Sequence, residues 1–181
     1  MADLRVVSEP LPGVLVLVCP YFPDHRGDFT KLFHFDALSD QGIDFKPAES
    51  FLTRSKANVL RGMHFQVGAA AHEKLVSCIK GKVLDAVVDV RPESPHFNKP
   101  ISIELSETGH TVLLIGKGYA HGFPSIEDDS WMLYSTTTVH CPSLDRGVRW
   151  DSIAFDWPIS QPLISDRDGC HPHISSCLKE F

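Results

Sequence analysis

The sequence lacks the long apolar runs and the basic character that mark membrane and nucleic-acid-binding proteins. No stretch of its 181 residues approaches the roughly 18 apolar residues of a membrane span. Lysine and arginine number 17 against 23 acidic residues, and the net charge of −6 argues against nucleic acid or an anionic membrane as a partner. Residues Met1–Arg5 do not resemble the start of a secretory signal. We therefore expect a cytoplasmic protein without a nucleic-acid or membrane partner.

Paired cysteines are also missing from the sequence. The five cysteines are odd in number, scattered, and never spaced as Cys-x-x-Cys. A disulfide framework normally has an even number of cysteines, and a structural zinc site has paired spacings. We expect reduced thiols at all five positions, which are Cys19, Cys78, Cys141, Cys170 and Cys177.

Helical periodicity is scarce, and apolar residues mostly follow the pattern of short strands. The segment 33–38 is the best candidate for a helix. Two β-rich runs, 75–79 and 83–90, are joined at Lys80–Gly81, which predicts a hairpin between them. The predicted strands include 14–18, 75–79, 83–90, 101–105, 111–115 and 131–139.

Short strands separated by Gly, Pro, Asn and Asp predict an all-β fold rather than alternating βαβ units. The length suits one domain over residues 1–181, and no linker divides the chain. From Cys141 onward, repeated prolines predict an irregular C-terminal tail. We predict a jelly-roll barrel with short helices, covered by that tail.

Histidine is unusually frequent, with ten in the chain, and two histidines stand beside glycines in strand-forming segments. A single such histidine is more often a packed residue than a catalytic one. Two of them, together with an arginine and a lysine in similar surroundings, are harder to explain by packing. The segments concerned are 58–66 with Arg61 and His64, 72–74 with Lys74, and 118–123 with His121.

The order and spacing of several motifs resemble the dTDP-4-dehydrorhamnose 3,5-epimerase family, over nearly the whole chain from Val14 to Pro172. The resemblance implies a cupin-type jelly roll that inverts C3, C5 or both in a nucleotide-linked 4-keto-6-deoxyhexose, as a homodimer and without cofactor or metal. The motifs are Asp24–Phe29, Asn58–Gln66, His72–Leu75, Asp85–Arg91, Glu93–Pro95, Tyr119–Phe123, Tyr134, Gly147 with Trp150, Trp157–Pro158 and Ser165–Asp168.

The resemblance assigns catalytic roles to four residues. His64 is the general base that removes a proton from the carbon beside the C4 ketone, and Asp168 holds its tautomer. Lys74 stabilises the enolate oxygen, and Tyr134 returns a proton from the opposite face. These residue types suit the chemistry, because a weak carbon acid needs a base of near-neutral pKa and a cation beside the developing oxyanion.

The resemblance also implies a set of substrate-binding residues. Arg26 and Arg61 are expected to contact the diphosphate, for which planar guanidinium groups are well suited, and His121 to line the sugar pocket. Segments near Phe29 and Lys31 are expected to reach the pocket of a neighbouring protomer. The predicted binding residues are Arg26, Phe29, Lys31, Glu49, Phe51, Arg61, His121 and His140.

Departures from the family pattern fall among these binding residues. Lys31 stands where family members commonly carry an acidic residue, Glu49-Ser50-Phe51 where they read Gln-x-Asn, and His140 where they have tyrosine. We predict that the proton-transfer chemistry carries over while the nucleotide differs from dTDP. The alternative is drift at positions that tolerate change.

Two other functions remain open from the residues alone. A metal-dependent cupin enzyme could use His64, His72, Glu73 and His121 as ligands, although His64-Phe65-Gln66 replaces the expected His-x-His. A non-catalytic sugar-nucleotide-binding jelly roll is the other alternative, because the fold hosts many functions. Within the epimerase interpretation, inversion at C3 only, C5 only or both carbons stays open.

Overall fold

The computed structural model describes residues 4–179, with side chains up to Ser176. Two short α-helices, α1 (Phe35–Ser39) and α2 (Asp166–Gly169), and three 3-10 helices accompany thirteen strands. The strands are β1 (Arg5–Leu11), β2 (Val14–Val18), β3 (Tyr21–Asp24), β4 (Gly27–Thr30), β5 (Glu49–Ser55), β6 (Leu60–Gln66), β7 (Lys74–Lys80), β8 (Lys82–Asp89), β9 (Pro100–Ser106), β10 (Thr111–Ile115), β11 (Tyr119–Pro124), β12 (Ser130–Thr136) and β13 (Asp145–Gly147).

Two antiparallel sheets face each other. One has the order β1-β2-β10-β7-β12-β5 and the other β13-β6-β11-β8-β9, while β3 and β4 form a separate two-stranded sheet. This architecture confirms the predicted all-β jelly roll with short helices. No helix within residues 4–179 is long and apolar enough to cross a membrane. Four of the five predicted thiols are free, and the side chain of Cys177 lies outside the described part of the chain.

The predicted hairpin between the β-rich runs 75–79 and 83–90 is wrong. β7 pairs with β10 and β12 in one sheet, whereas β8 pairs with β11 and β9 in the other. Only Gly81 separates them, which is too short for the two-residue turn of a hairpin. Its φ of +72° and its closeness to Ser130, whose Oγ would lie 2.6 Å from an added Cβ, favour glycine at this crossing.

The main core lies between the two sheets. Alternate residues of β8, Val83 and Val87, point into it, while Ala86 and Val88 pack in a second cluster on the outer side of the same sheet. Burial on both faces explains why β8 is almost continuously apolar. Asp85 shares the inward side of β8 with Val83 and Val87 and is fully buried. A buried carboxylate at such a position needs a charged or hydrogen-bonding partner.

The C-terminal tail is more regular than predicted. β13 extends the five-stranded sheet by pairing with β6, and the tail then runs over the outer face of that sheet, where Ile153 and Ile174 join the outer cluster. Ser165 caps the N-terminus of helix α2, and its hydroxyl accepts a hydrogen bond from the Asp168 amide. The tail thereby brings Asp168 to the end of β6.

Candidate active site

A cavity of about 320 Å³ opens between the two sheets. This volume is at the lower end of the range for small-molecule sites, about 300–1,000 Å³. Nine of the twelve predicted site residues line it: His64, Lys74, Tyr134, Asp168, Glu49, Phe51, Arg61, His121 and His140.

Strand alternation explains why the polar side chains meet there. Met63 and Phe65 pack in the outer cluster, so His64 between them points inward. On the opposite sheet, Lys74 and Tyr134 share the inward side of their strands with core residues of β7 and β12. The imidazole therefore comes from one sheet, and the ammonium and the phenol come from the other.

Close approach of β6 and β11 depends on two glycines. A Cβ at Gly62 would lie 2.5 Å from the Gly122 Cα, and one at Gly122 would lie 2.6 Å from the Arg61 carbonyl oxygen. Gly62 also has a φ of +130°, which side-chain-bearing residues rarely adopt. Gly62, two residues before His64, and Gly122, directly after His121, are thus required for the pairing of His64 with His121 across these strands.

His64 forms a hydrogen-bonded pair with the buried carboxylate of Asp168. His64 Nε2 lies 2.8 Å from Asp168 Oδ1, and the Gly62 amide donates to Oδ2 at 3.1 Å. Burial opposes ionisation of Asp168, but these hydrogen bonds and the His64 ring outweigh it and lower the Asp168 pKa to about 2. An ionised Asp168 accepts the Nε2 proton of His64, which leaves Nδ1 with the lone pair.

Lys74 links the two walls of the cavity. Its Nζ donates to the main-chain carbonyl of His64 at 3.0 Å. Burial lowers the pKa of Lys74 to about 8, partly offset by the charges of Asp145 and Asp85. The ammonium form thus predominates at neutral pH and lies beside the base.

Tyr134 is buried and held by aromatic contacts. Phe51 stacks on it with ring centroids 4.7 Å apart, and the His121 ring stands edge-on to it at 6.0 Å. Burial, reinforced by the charge of Asp85, raises the pKa of Tyr134 far above its usual value. The phenol therefore stays protonated and is able to donate.

His121 has a buried acidic partner that the sequence analysis missed. Its Nε2 lies 2.8 Å from Asp85 Oδ2, and both side chains are almost completely buried. A carboxylate at an inward position between Val83 and Val87 was the signal available in the sequence. The pair fixes the orientation of the His121 ring at the base of the cavity.

The rim of the cavity contains two further residues that were not predicted. Asp145 Oδ2 accepts from Arg167 Nη2 at 2.6 Å and lies 3.0 Å from His140 Nε2. The His140 amide in turn donates to Glu49 Oε2 at 2.7 Å. Arg61 donates from Nε to the Ser55 hydroxyl at 2.9 Å. The guanidinium groups of Arg61 and Arg167 and the carboxylates of Glu49 and Asp145 therefore line the same cavity.

Three predicted binding residues lie elsewhere in this chain. Arg26, Phe29 and Lys31 belong to or follow the β3–β4 hairpin and do not line the cavity. Arg26 is exposed and pairs with Asp24, with 2.5 Å between Nη2 and Oδ2. Phe29 is 58% exposed and touches Phe22.

The ligand set considered for a metal-dependent cupin does not assemble within the described residues. His64 is paired with Asp168, and His121 with Asp85. His72 Nδ1 lies 3.0 Å from Gln66 Nε2, and burial, aided by Lys74, lowers the His72 pKa to about 4. Within the described residues, His64, His72, Glu73 and His121 do not come close enough together to share an ion.

Comparison with known proteins identifies the family. The family model described as dTDP-4-dehydrorhamnose 3,5-epimerase matches residues 8–176. The chain belongs to this family. It is a nucleotide-sugar epimerase, and therefore an isomerase, as the sequence predicted.

Individual relatives agree over most of their length. The dTDP-4-dehydrorhamnose 3,5-epimerase of Salmonella typhimurium is 36% identical over 179 residues, covering 96% of this chain and 97% of the relative. That of Escherichia coli K12 is 38% identical over 164 residues, with 89% of each chain covered. The crystal structure of the Bacillus anthracis enzyme, with TDP and pyrophosphate bound, superposes with a TM-score of 0.91 at 30% identity, covering 94% of this chain and 99% of that one.

Proposed function

We propose that residues 1–181 act as one domain that epimerises a nucleoside-diphosphate-linked 4-keto-6-deoxyhexose through an enolate. The observation that carries this proposal is the meeting of His64 and Tyr134 from opposite sheets in one cavity. Inversion needs two groups on opposite faces of the sugar ring, because a single base returns the proton to the face it left. A binding protein has no need of that arrangement.

In this mechanism His64 Nδ1 takes the proton from the carbon beside the ketone, while Asp168 holds the ring through Nε2. Negative charge then develops on the ketone oxygen, which the Lys74 ammonium stabilises. The Tyr134 phenol gives its proton to the opposite face of the carbon and completes the inversion. His121 and the arginine groups at the rim would hold the sugar and the diphosphate.

The decisive experiment follows hydrogen exchange in deuterated water. The 4-keto sugar nucleotide is incubated with the enzyme, and NMR counts which ring carbons acquire deuterium. We expect exchange at C3, C5 or both, because enolate formation makes the proton exchangeable at each carbon that is inverted. The number of exchanged carbons separates single from double inversion, and no exchange at either carbon would refute the epimerase mechanism.

The pH dependence should report the Lys74 ammonium. Because the Lys74 pKa is lowered to about 8 and the charged form is the active one, activity should be present below this pH and lost above it. We expect kcat/KM to fall by about tenfold per pH unit on the alkaline side. A Lys74→Arg variant should move this fall to higher pH, since guanidinium does not deprotonate. An unchanged alkaline limb in that variant would assign the titration to another group.

The nucleotide is predicted to differ from dTDP. A carboxylate at position 49 only accepts hydrogen bonds, whereas the glutamine of the family pattern also donates, so a base with another donor pattern is favoured. We expect CDP, GDP or UDP to bind at least as tightly as dTDP in calorimetric titrations. Glu49→Gln should shift the preference towards dTDP. A clear preference of the unaltered protein for dTDP would show that these positions merely tolerate change.

A homodimer is proposed as the working form, in which the β3–β4 hairpin of one protomer reaches the cavity of the other. The hairpin supports this because Phe22 and Phe29 are 37% and 58% exposed, and its strands pair with neither large sheet. Light scattering at micromolar concentration should give the mass of two chains. Phe29→Ala should weaken the dimer, while Ile126→Ala, which removes an exposed apolar side chain elsewhere, should not. A monomer in the unaltered protein would contradict the proposed homodimer.

The cytoplasmic location of the protein likewise stays a prediction from the sequence.

A further inference from the structure

A second histidine lies beside the His64–Asp168 pair and has no part in the proposed proton transfer. His171 follows helix α2, and its side chain is only 12% exposed. Its ring packs against Gly147, where an added Cβ would lie 2.4 Å from His171 Nε2. Within the described residues, Nε2 is buried and has no hydrogen-bond partner. Such an unpartnered buried nitrogen is costly and calls for an explanation.

The three side chains are arranged as a potential set of metal ligands. His171 Nε2 lies 3.8 Å from Asp168 Oδ1, and His64 Nε2 lies 2.8 Å from the same oxygen. One ligand atom from each residue falls within 4.8 Å of the others, and the two imidazole rings meet at 71° with centroids 5.5 Å apart. Zinc lies about 2.0–2.2 Å from such nitrogen and oxygen ligands, so the three atoms would converge on the ion when it binds.

We infer that His64, Asp168 and His171 bind Zn²⁺ or a similar divalent transition metal, and that the bound ion blocks proton transfer. Two imidazoles and one carboxylate are a common donor set for zinc, with a fourth position left for water. A second cavity of about 350 Å³, lined by His171 and Gly147, places solvent beside the His171 ring.

Inhibition follows from the proton balance at His64. The ion takes the lone pair of Nε2, so the Nε2 proton leaves to solvent and Nδ1 takes one up. The ring stays neutral, but the nitrogen that would accept the substrate proton is now protonated. Asp168 meanwhile exchanges its hydrogen bond with His64 for a bond to the ion. The predicted inhibition rests on the proposed function, whereas metal binding itself does not.

Metal binding is tested first without reference to activity. Metal-free protein is titrated with Zn²⁺ by calorimetry and with Co²⁺ by visible absorption. We expect one ion per chain and the absorption bands of a four-coordinate cobalt site. His171→Ala should weaken binding by at least about 100-fold, since loss of a group that merely supports a ligand already costs about 10- to 100-fold. His171→Phe keeps a ring against Gly147 and should do the same, which guards against misfolding of the alanine variant.

The matched control is His173→Ala, which removes an exposed histidine two residues away whose ring is hydrogen-bonded to Ser175 and not to any of the three proposed ligands. It should leave the affinity unchanged. In the exchange assay, Zn²⁺ should stop deuterium incorporation in the unaltered protein but not in His171→Phe, whose activity without metal should be retained. Equal affinity in the His171 variants would overturn the site. Zn²⁺ binding that requires His171 yet leaves exchange unaffected would keep the site and refute the inhibition. Failure of exchange in all metal-free samples would instead count against the proposed function.

Discussion

Replacing His64 with alanine should abolish deuterium incorporation into the sugar while leaving nucleotide binding nearly unchanged. A positioned general base contributes about 10²- to 10⁴-fold to the rate, so exchange should fall by at least about 100-fold. The His64 side chain is 29% exposed, whereas those of His140 and Arg167, which line the same cavity, are 53% and 51% exposed. The affinity for a nucleoside diphosphate should therefore change by less than about threefold, because His64 does not contact the nucleotide in the proposed complex.

Alanine at this position also removes a partner from a buried carboxylate. Asp168 keeps the hydrogen bond from the Gly62 amide but loses the one to His64, so its pKa should rise and the fold should lose about 1–3 kcal/mol. His64→Gln separates this effect from catalysis, because its amide can still donate to Asp168 but cannot accept a proton from carbon. Both variants should be inactive in exchange, with the glutamine variant closer to normal in its melting temperature.

The measurement is NMR of the sugar nucleotide in deuterated water, with calorimetric binding of the nucleoside diphosphate in parallel. Near-normal exchange in either variant would mean that the base has been misassigned. Loss of binding together with exchange would place His64 in nucleotide recognition instead.

Strand positions were predictable from the sequence because apolar alternation is a local signal. The runs 14–18 and 111–115 coincide with β2 and β10. Strand pairing was less predictable, because which strands become neighbours depends on contacts between residues that are far apart in the sequence. A single glycine between two β-rich runs carries the chain from one sheet to the other, and local pattern alone does not distinguish this crossing from a hairpin.

In the candidate site, too, positions set by local alternation were predictable and positions set by long-range packing were not. His64, Lys74 and Tyr134 lie on strands within recognisable motifs, and alternation alone would place all three on inward faces. Asp85 could have been found in the same way, as a charged residue between Val83 and Val87 on the inward side of an apolar strand. Asp145 and Arg167 could not, because they come from the C-terminal tail, whose path depends on packing rather than on periodicity.

Replacing Tyr134 with phenylalanine should separate hydrogen exchange from inversion. Abstraction by His64 precedes the return of a proton on the other face, so the enolate still forms without the phenol. The proton then returns from solvent-exchanged His64 to the face it left, which gives deuterium incorporation with retention of configuration. We expect inversion to fall by at least about 100-fold and exchange by less than about tenfold.

The packing around Tyr134 should be preserved in this substitution. Phenylalanine keeps the ring that stacks on Phe51 and meets His121 edge-on, so the cavity wall should remain in place. Tyr119→Phe is the matched control. It removes the hydroxyl of another buried tyrosine, which donates to the Pro12 carbonyl at 2.7 Å and does not line the cavity. That variant should lose stability without changing the ratio of exchange to inversion. Equal loss of exchange and inversion in Tyr134→Phe would show that the phenol takes part in proton abstraction itself. The proposed separation of roles, with abstraction by His64 and proton return by Tyr134, would then be wrong.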